Sequence, residues 1–234
     1  MDVLELLPRL HLLRFPVGQA YLWRDGDELT LIDAGPAGSG AAIATVAESL
    51  GKVRRVVLTH FHEDHVGGAG EFAALSGAEV LAHHRDAPVV RGELPGPFPV
   101  FEEWERPIQA EVARQLPTGG FERPPRFTEL SDGDALDFGD GTHVVHASGH
   151  THGSIAVHLP HHGVLFTGDA IATSPVDGSV MSGVFNVDRA QAVTSFHRLA
   201  GLDTAIACFG HGAPVIGDAS TALRRSADRH PTPR

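Results

Sequence analysis

The sequence is poor in cysteine and in basic residues. Its single cysteine, Cys208, excludes a disulfide within the chain, as expected for a reducing compartment. Lys and Arg number 18 against 29 Asp and Glu, which gives a formal net charge of −11. A net charge of this sign repels phosphate backbones and anionic lipid surfaces. We therefore expect no nucleic acid and no membrane as partner.

Long apolar runs are also missing. No run is long enough to span a bilayer, and the first five residues lack the basic region of a secretory signal, so the expected location is cytoplasmic. The chain has 234 residues, of which 42% are hydrophobic, and this is enough for one substantial core. We expect a single domain over residues 1–234.

Short apolar runs, separated by turn residues, predict alternating strands and helices. The first three runs predict an antiparallel meander, and the strand and helix alternation that follows favours a partly parallel sheet. The predicted strands cover residues 10–13, 20–23, 29–32, 53–58, 79–82, 136–138, 143–146, 155–159, 164–166 and 205–209, and the predicted helices cover residues 41–50, 71–75, 108–116, 189–199 and 219–227.

Residues 86–127 interrupt this pattern. Eight of the 16 prolines fall there, and so long an irregular insert in a compact domain is usually functional or disordered. The insert is expected to form a lid or a wall of an apolar substrate pocket. Alternatively, its aromatic residues pack on the core or on a second subunit, which leaves a homodimer open. These aromatic residues are Phe98, Phe101, Trp104 and Phe121.

The most informative stretch follows the apolar run at residues 56–58. Four potential metal ligands, His60, His62, Asp64 and His65, fall within six residues. Imidazole and carboxylate suit zinc, iron or manganese, and in a turning loop the first two can converge on one ion while the last two reach a second. The alternative is a His-rich surface turn. Asp33 lies at a predicted strand end. Its carboxylate either orients a metal-ligating His without binding the metal itself, or caps a turn.

This stretch, together with Gly67-Gly68, resembles the signature of the metallo-β-lactamase superfamily. Four further segments resemble other motifs of that family in the expected order. They are Leu31–Gly35, Gly149–Ser154, Leu165–Asp169 and Phe209–Gly212. The resemblance implies an α/β fold, a four-layer αββα sandwich of two mixed sheets.

The resemblance also implies a metal centre with seven ligands. Two divalent ions are expected, zinc in the first place, with iron and manganese as alternatives. The implied ligands are His60, His62 and His150 at the first site, Asp64, His65 and His211 at the second, and Asp169 as the bridge. Asp64 is the suggested catalytic residue, as a proton shuttle.

The implied function is a binuclear metal-dependent hydrolase, in which a metal-bound hydroxide attacks an ester, lactone, thioester or amide carbonyl. Glyoxalase II thioesterases are similar in these motifs, but the chain ends soon after His211, where those enzymes add a helical region. Acyl homoserine lactone lactonases are also similar, but the Tyr that they carry shortly after the bridging Asp is missing. An iron-dependent persulfide dioxygenase is the alternative function. All seven ligand positions are filled, which favours two metals over one iron.

The histidines outside the seven implied ligands are interpreted separately. His152 stands where the family more often has Pro; we expect it in a solvent-facing turn, with a contact to a ligand or to substrate as the alternative. We expect His161-His162 in a surface turn. His83 and His84 end a predicted strand, which leaves a place near the centre open for them. Cys208 lies in an apolar strand and is expected to be a buried, unreactive residue.

Overall fold

The structure, a computed structural model, describes residues 1–124 and 126–230. Pro125, inside the predicted insert, and residues 231–234 lie outside the described residues. The chain divides into two compact units. Unit 1 comprises Met1–Pro95 and Ala110–Leu130, and unit 2 comprises Gly96–Gln109 and Ser131–Arg234. Organisation as a single domain therefore stays a prediction.

Unit 1 is built on a seven-stranded mixed sheet. Its strands, in their order across the sheet, are β1 (Asp2–Leu7), β2 (Leu10–Arg14), β3 (Gln19–Asp25), β4 (Glu28–Ile32), β5 (Lys52–Val57), β6 (Glu79–His83) and β7 (Phe127–Leu130). Neighbours from β1 to β4 are antiparallel, which confirms the meander. Neighbours from β4 to β7 are parallel, so their carboxyl ends share one edge of the sheet.

Helices cover the core of unit 1. They are α1 (Gly40–Glu48), α2 (Glu63–Val66), α3 (Ala69–Ser76) and α4 (Ala87–Val90). Ile43 of α1 and Phe72 of α3 are fully buried in a cluster with the apolar residues of β4 and β5. A further helix, α5 (Arg106–Gln115), has no buried residue. The apolar spacing of α1 and α3 therefore predicts their positions well, because that spacing reflects burial.

Unit 2 is built on a six-stranded mixed sheet and a two-stranded hairpin. The strands are β8 (Ala135–Leu136), β9 (Thr142–His146), β10 (Ile155–Leu159), β11 (Val164–Phe166), β12 (Ile171–Thr173), β13 (Val180–Ser182), β14 (Ile206–Cys208) and β15 (Val215–Ile216). The larger sheet has the order β15-β14-β11-β10-β9-β8, and β12 pairs with β13. Among the described strand pairs of the larger sheet, only β11 and β14 are parallel.

Two helices pack on the core of unit 2. They are α6 (Arg189–Ala200) and α7 (Ala219–Ala227). Asp188 caps α6, since its carboxylate accepts a hydrogen bond from the Gln191 N–H at 3.0 Å. Phe196 of α6 and Leu223 of α7 are fully buried in one cluster with Phe209.

The expected α/β class with two large mixed sheets is confirmed. Sequence patterns missed β1, whose residues are exposed or half-buried at the sheet edge, and the short hairpin of β12 and β13. β1 has no buried residue, and the two hairpin strands have only three residues each, too few to show an apolar alternation. Among the described residues, no helix combines the length and the apolar composition needed to cross a bilayer.

The aromatic residues of the predicted insert lie in different environments, some packed against other residues and some exposed. Phe121 packs on the core cluster of unit 1, and the ring of Phe101 in unit 2 makes an edge contact with Phe185, with centroids 5.6 Å apart. Phe98 is 90% exposed and Trp104 is 50% exposed. Packing on the core is therefore the observed state for Phe121.

Candidate metal centre

The first group of candidate ligands follows β5 in unit 1. The chain leaves the sheet at Thr59 and turns into α2, so that His60, Asp64 and His65 are buried and His62 is half-buried. The ligand atoms of His60 and His62 lie within 4.8 Å of each other. The Nε2 atom of His65 lies 3.5 Å from Oδ2 of Asp64. The loop therefore gathers these four side chains in two pairs, as the spacing predicts.

The glycine pair after these ligands allows a close approach of two loops. A Cβ atom on Gly67 would lie 2.3 Å from the backbone nitrogen of Ala37, and one on Gly68 would lie 2.3 Å from the carbonyl oxygen of Ala34. The Ala34 N–H donates to the carbonyl of His65 at 2.7 Å. Any larger residue would push the ligand loop away from the segment that follows β4.

Asp33 orients two of the ligands in unit 1. Its buried carboxylate accepts hydrogen bonds from the Thr59 N–H at 2.7 Å, the Thr59 hydroxyl at 2.8 Å and Nδ1 of His65 at 2.9 Å. Because the Thr59 hydroxyl donates to Asp33, it accepts from Nδ1 of His60, 3.0 Å away. Both imidazoles thus carry their proton on Nδ1, which makes Nε2 the acceptor nitrogen of each ring.

The second group of candidate ligands lies in unit 2, at the ends of two parallel strands. Phe166 of β11 pairs with Cys208 of β14, and Asp169 and His211 each follow three residues later. Equal offsets from paired positions bring the two side chains together, with Oδ2 of Asp169 3.2 Å from Nε2 of His211. Asp169 is buried, whereas the His211 side chain is 36% exposed.

His150 lies in the loop between β9 and β10. Its Nδ1 donates to the carbonyl oxygen of Val184 at 2.9 Å, and its Nε2 lies 3.6 Å from Oδ2 of Asp169. A carbonyl only accepts hydrogen bonds, so the proton of His150 is also on Nδ1. Sequence reasoning missed Val184, because a backbone carbonyl has no signature in the residue types.

The donor set fits divalent metal ions. Two pairs of buried residues, His65–Asp64 and His150–Asp169, place the Nε2 atom of a histidine 3.5 Å and 3.6 Å, respectively, from a carboxylate oxygen. Two acceptors at that distance repel each other unless a cation or a proton lies between them. Imidazole and carboxylate are the ligands that zinc, iron and manganese take in proteins. Candidate metal-binding groups of His and Asp are thus present in both units.

The other residues named in the sequence analysis lie in turns or in the core and are not among the candidate ligands. His152 is exposed, and its carbonyl accepts from Nε2 of His146 at 2.9 Å. His161 is exposed and His162 half-buried in a single turn of 3₁₀ helix, Pro160–His162. Cys208 is buried, and burial raises the pKa of its thiol far above its ordinary value. The expected turn positions of His152 and His161-His162 and the expected burial of Cys208 are confirmed.

His83 and His84 also end a strand, as predicted, because β6 ends at His83. His83 is buried and His84 is exposed, and their rings stack with centroids 4.2 Å apart. The Nδ1 atom of His83 accepts a hydrogen bond from the Arg85 N–H at 3.3 Å. The structure therefore gives His83 a local role in the turn after β6.

Comparison with known proteins identifies the class. The profile described as "Metallo-beta-lactamase superfamily" matches residues 13–211, which include all the candidate ligands. The chain belongs to this superfamily.

Individual relatives agree with this class. The chain is 28% identical over 204 residues to the "Probable metallo-hydrolase YflN" of Bacillus subtilis (strain 168), covering 80% of this chain and 76% of that protein. It is 34% identical over 122 residues to a "Hydroxyacylglutathione hydrolase" of Gloeobacter violaceus, covering 51% of this chain but only 35% of that protein. The crystal structure of a metallo-beta-lactamase family protein from Thermus thermophilus, TTHA1429, is similar with a TM-score of 0.67 and 26% identity, covering 96% of this chain and 80% of that one.

Proposed function

We propose that the protein is a binuclear metal-dependent hydrolase that acts on the carbonyl group of a small ester, lactone, thioester or amide. The observation that carries this proposal is the shared proton position of three buried histidines. His60, His65 and His150 each have Nδ1 engaged by a hydrogen bond and Nε2 kept for a metal. This arrangement is typical of metal-ligating histidines, whose second nitrogen is held by a carboxylate or a carbonyl.

The proposed ligands fall into two sets. His60, His62 and His150 would hold one ion, and Asp64, His65 and His211 the other, with Asp169 shared between the ions. Divalent ions in such a centre would supply Lewis acidity, which lowers the pKa of bound water far below its ordinary value, to roughly 7, and polarises a carbonyl. We favour zinc, with iron and manganese as alternatives, because the same donor types accept all three.

The residues of the chain contribute orientation and charge. Asp33 and the carbonyl of Val184 keep the imidazoles in one tautomer before any ligand arrives, so the donor atoms are preorganised. Two divalent ions against the carboxylates of Asp64 and Asp169 leave about two positive charges, which favours an anionic transition state. We propose Asp64, which is 6% exposed, as the group that holds the proton released after attack.

The substrate class rests on the relatives. Hydroxyacylglutathione hydrolases are thioesterases by name, and the match with one of them extends over about half of this chain. A thioester is therefore the first substrate to test. Because the match covers only 35% of that protein, we treat lactones, simple esters and amides as equal members of the test panel.

A substrate panel tests the proposed function. Protein loaded with zinc, iron or manganese is assayed against a thioester, a lactone, a simple ester and a β-lactam, and separately for oxygen uptake with a persulfide. We expect hydrolysis of at least one carbonyl substrate that is lost in His60→Ala and kept in His161→Ala, whose side chain is exposed. Oxygen uptake on the persulfide with one iron per chain, and no hydrolysis, would contradict the proposal.

A further inference from the structure

Glu105 is a carboxylate buried completely within unit 2. Its side chain is 0% exposed, at the start of α5, in a segment where the neighbouring acids Glu102 and Glu103 are exposed. It accepts hydrogen bonds from the N–H of Glu102 at 2.8 Å and the N–H of Phe185 at 3.2 Å, and it pairs with the Arg189 guanidinium at 3.1 Å. A buried carboxylate is tolerated only with such a set of donors, and two of the three come from the segment around residues 183–189.

That same segment encloses the candidate ligand His150. The carbonyl of Val184 accepts from the ring, and the N–H of Val187 donates to the carbonyl of His150 at 3.2 Å. The N–H of Asp188 donates to the carbonyl of Gly149 at 2.9 Å. The ring and the backbone of His150 are therefore both attached to residues 184–188, and a shift of this segment would turn the imidazole.

This segment has an internal hydrogen bond from Nδ2 of Asn186 to the Gly183 carbonyl at 2.8 Å, but its conformation also carries two local costs. Phe185 has φ of 61°, a left-handed conformation that is unfavourable for a bulky residue. Asn186 is 1% exposed, and its Oδ1 accepts no hydrogen bond from any residue that the structure describes. Contacts from outside the segment must offset both costs. Besides Glu105, the N–H of Val100 donates to the carbonyl of Asn186 at 3.0 Å.

We propose that Glu105 is a positioning residue for the metal ligand His150, acting through Phe185 and the carbonyl of Val184. The buried carboxylate fixes residues 184–187, and these residues hold the His150 ring in its orientation through Nδ1. The metal affinity of the centre thus depends on a glutamate that lies 45 residues from His150 and touches no ligand. This inference rests on the proposed function only in that His150 is a metal ligand.

The test uses Glu105→Gln with Glu103→Gln as the matched control. Glutamine keeps the size of the side chain but removes the charge and places an N–H₂ group where an acceptor is needed. Glu103 lies in the same turn, but its side chain is 90% exposed and pairs with Arg106 at 3.1 Å, so the control removes an equal charge at the surface. Zinc affinity is measured by competition with a chelator, and cobalt(II) is substituted to record the ligand-field spectrum.

We expect zinc affinity to fall roughly 10- to 100-fold in Glu105→Gln. Losses of this size are typical when residues that orient metal ligands are replaced. The cobalt spectrum should shift in Glu105→Gln and match the wild type in Glu103→Gln. A purely structural role would lower the unfolding temperature in excess chelator without changing the spectrum of the folded protein, and that result would overturn the inference. Should Glu105→Gln fail to fold, Arg189→Met replaces it, with the same shift expected.

The two proposals fail in different ways. A wild-type protein that binds neither zinc nor cobalt would overturn the proposed function and this inference together. A wild type that binds both ions, with Glu105→Gln binding them equally well and with an unchanged spectrum, would overturn the role of Glu105 alone.

Discussion

Nδ1 of His65 lies 2.9 Å from Oδ2 of Asp33, and both side chains are buried. Through the Thr59 hydroxyl the same carboxylate also sets the tautomer of His60. Asp33 itself has φ of 59°, a left-handed conformation that Asp and Asn tolerate better than most residues. One side chain after β4 thus prepares two candidate ligands that follow β5.

Replacement of this carboxylate by its amide should weaken metal binding. In Asp33→Asn the N–H₂ group takes the place of Oδ2 and donates to Nδ1 of His65, which moves the ring proton to Nε2 and blocks the ligand atom. We expect metal affinity to fall roughly 10- to 100-fold, measured by chelator competition. Asp27→Asn, in an exposed turn of the same unit, is the control and should bind as the wild type does. Equal affinity in the two variants would refute the role given to Asp33.

Replacement of Gly183 should destabilise the protein, because its backbone lies too close to Asp169 to leave room for a side chain. A Cβ atom on Gly183 would lie 1.7 Å from the carbonyl oxygen of Asp169. We expect Gly183→Ala to lose at least about 3 kcal/mol of unfolding free energy in urea titration, because backbone atoms on both sides must move. Gly201→Ala, whose Cβ would lie 3.3 Å from the Arg198 carbonyl, should change it by no more than about 1 kcal/mol. Similar losses in both variants would count against this account of Gly183.

We expect the titration of His158 to contribute to the pH dependence of the free energy of unfolding. Burial lowers its pKa from the ordinary 6.5, opposed by the hydrogen bond to the Asp203 carbonyl and assisted by the charge of His143. The unfolded chain therefore takes up this proton at higher pH than the folded chain. The contribution of His158 to stability is complete above about pH 6.5 and is lost as the pH falls through the folded-state pKa.

The corresponding experiment compares urea unfolding of His158→Gln and wild type at about pH 7.5 and about pH 5. Glutamine can still donate to the Asp203 carbonyl but does not titrate. We expect a smaller loss of stability on acidification in this variant, and an unchanged loss in His161→Gln, whose side chain is exposed. If acidification lowered the free energy of unfolding equally in the wild type and in His158→Gln, His158 would not contribute to the pH dependence of stability.

Cys208 should be inert in the folded protein. Burial raises the pKa of its thiol, so almost no thiolate exists near neutral pH, and the residue is 0% exposed, which keeps reagents away from the sulfur. We predict that iodoacetamide or a thiol-disulfide reagent labels the native protein much more slowly than the protein in urea. Equal labelling rates in the two conditions would mean that the strand opens freely.

Much of the fold can be predicted from sequence where burial imposes a clear pattern. The bounds of β10, β11 and α7 match the predicted runs, because each buries a continuous or periodic set of apolar residues. Residue types and spacing predicted His60, His62, Asp64 and His65 as ligands, whereas His150, Asp169 and His211 were implied by the resemblance to the family's motifs. The groups behind the ligands were harder to find. Val184 acts through its backbone, and Glu105 lies in an acidic run that is typical of an exposed surface, so neither differs from its neighbours in composition.

The central claim is the proposal that the protein binds two divalent ions through its candidate ligands. The most direct measurement is the metal content per chain after equilibrium dialysis against zinc, for the wild type, Asp169→Ala and His161→Ala. We predict two ions in the wild type and in His161→Ala, and fewer in Asp169→Ala, because its carboxylate is the proposed bridge. A wild type that retains no ion, or an Asp169→Ala protein that retains as many as the wild type, would contradict the account.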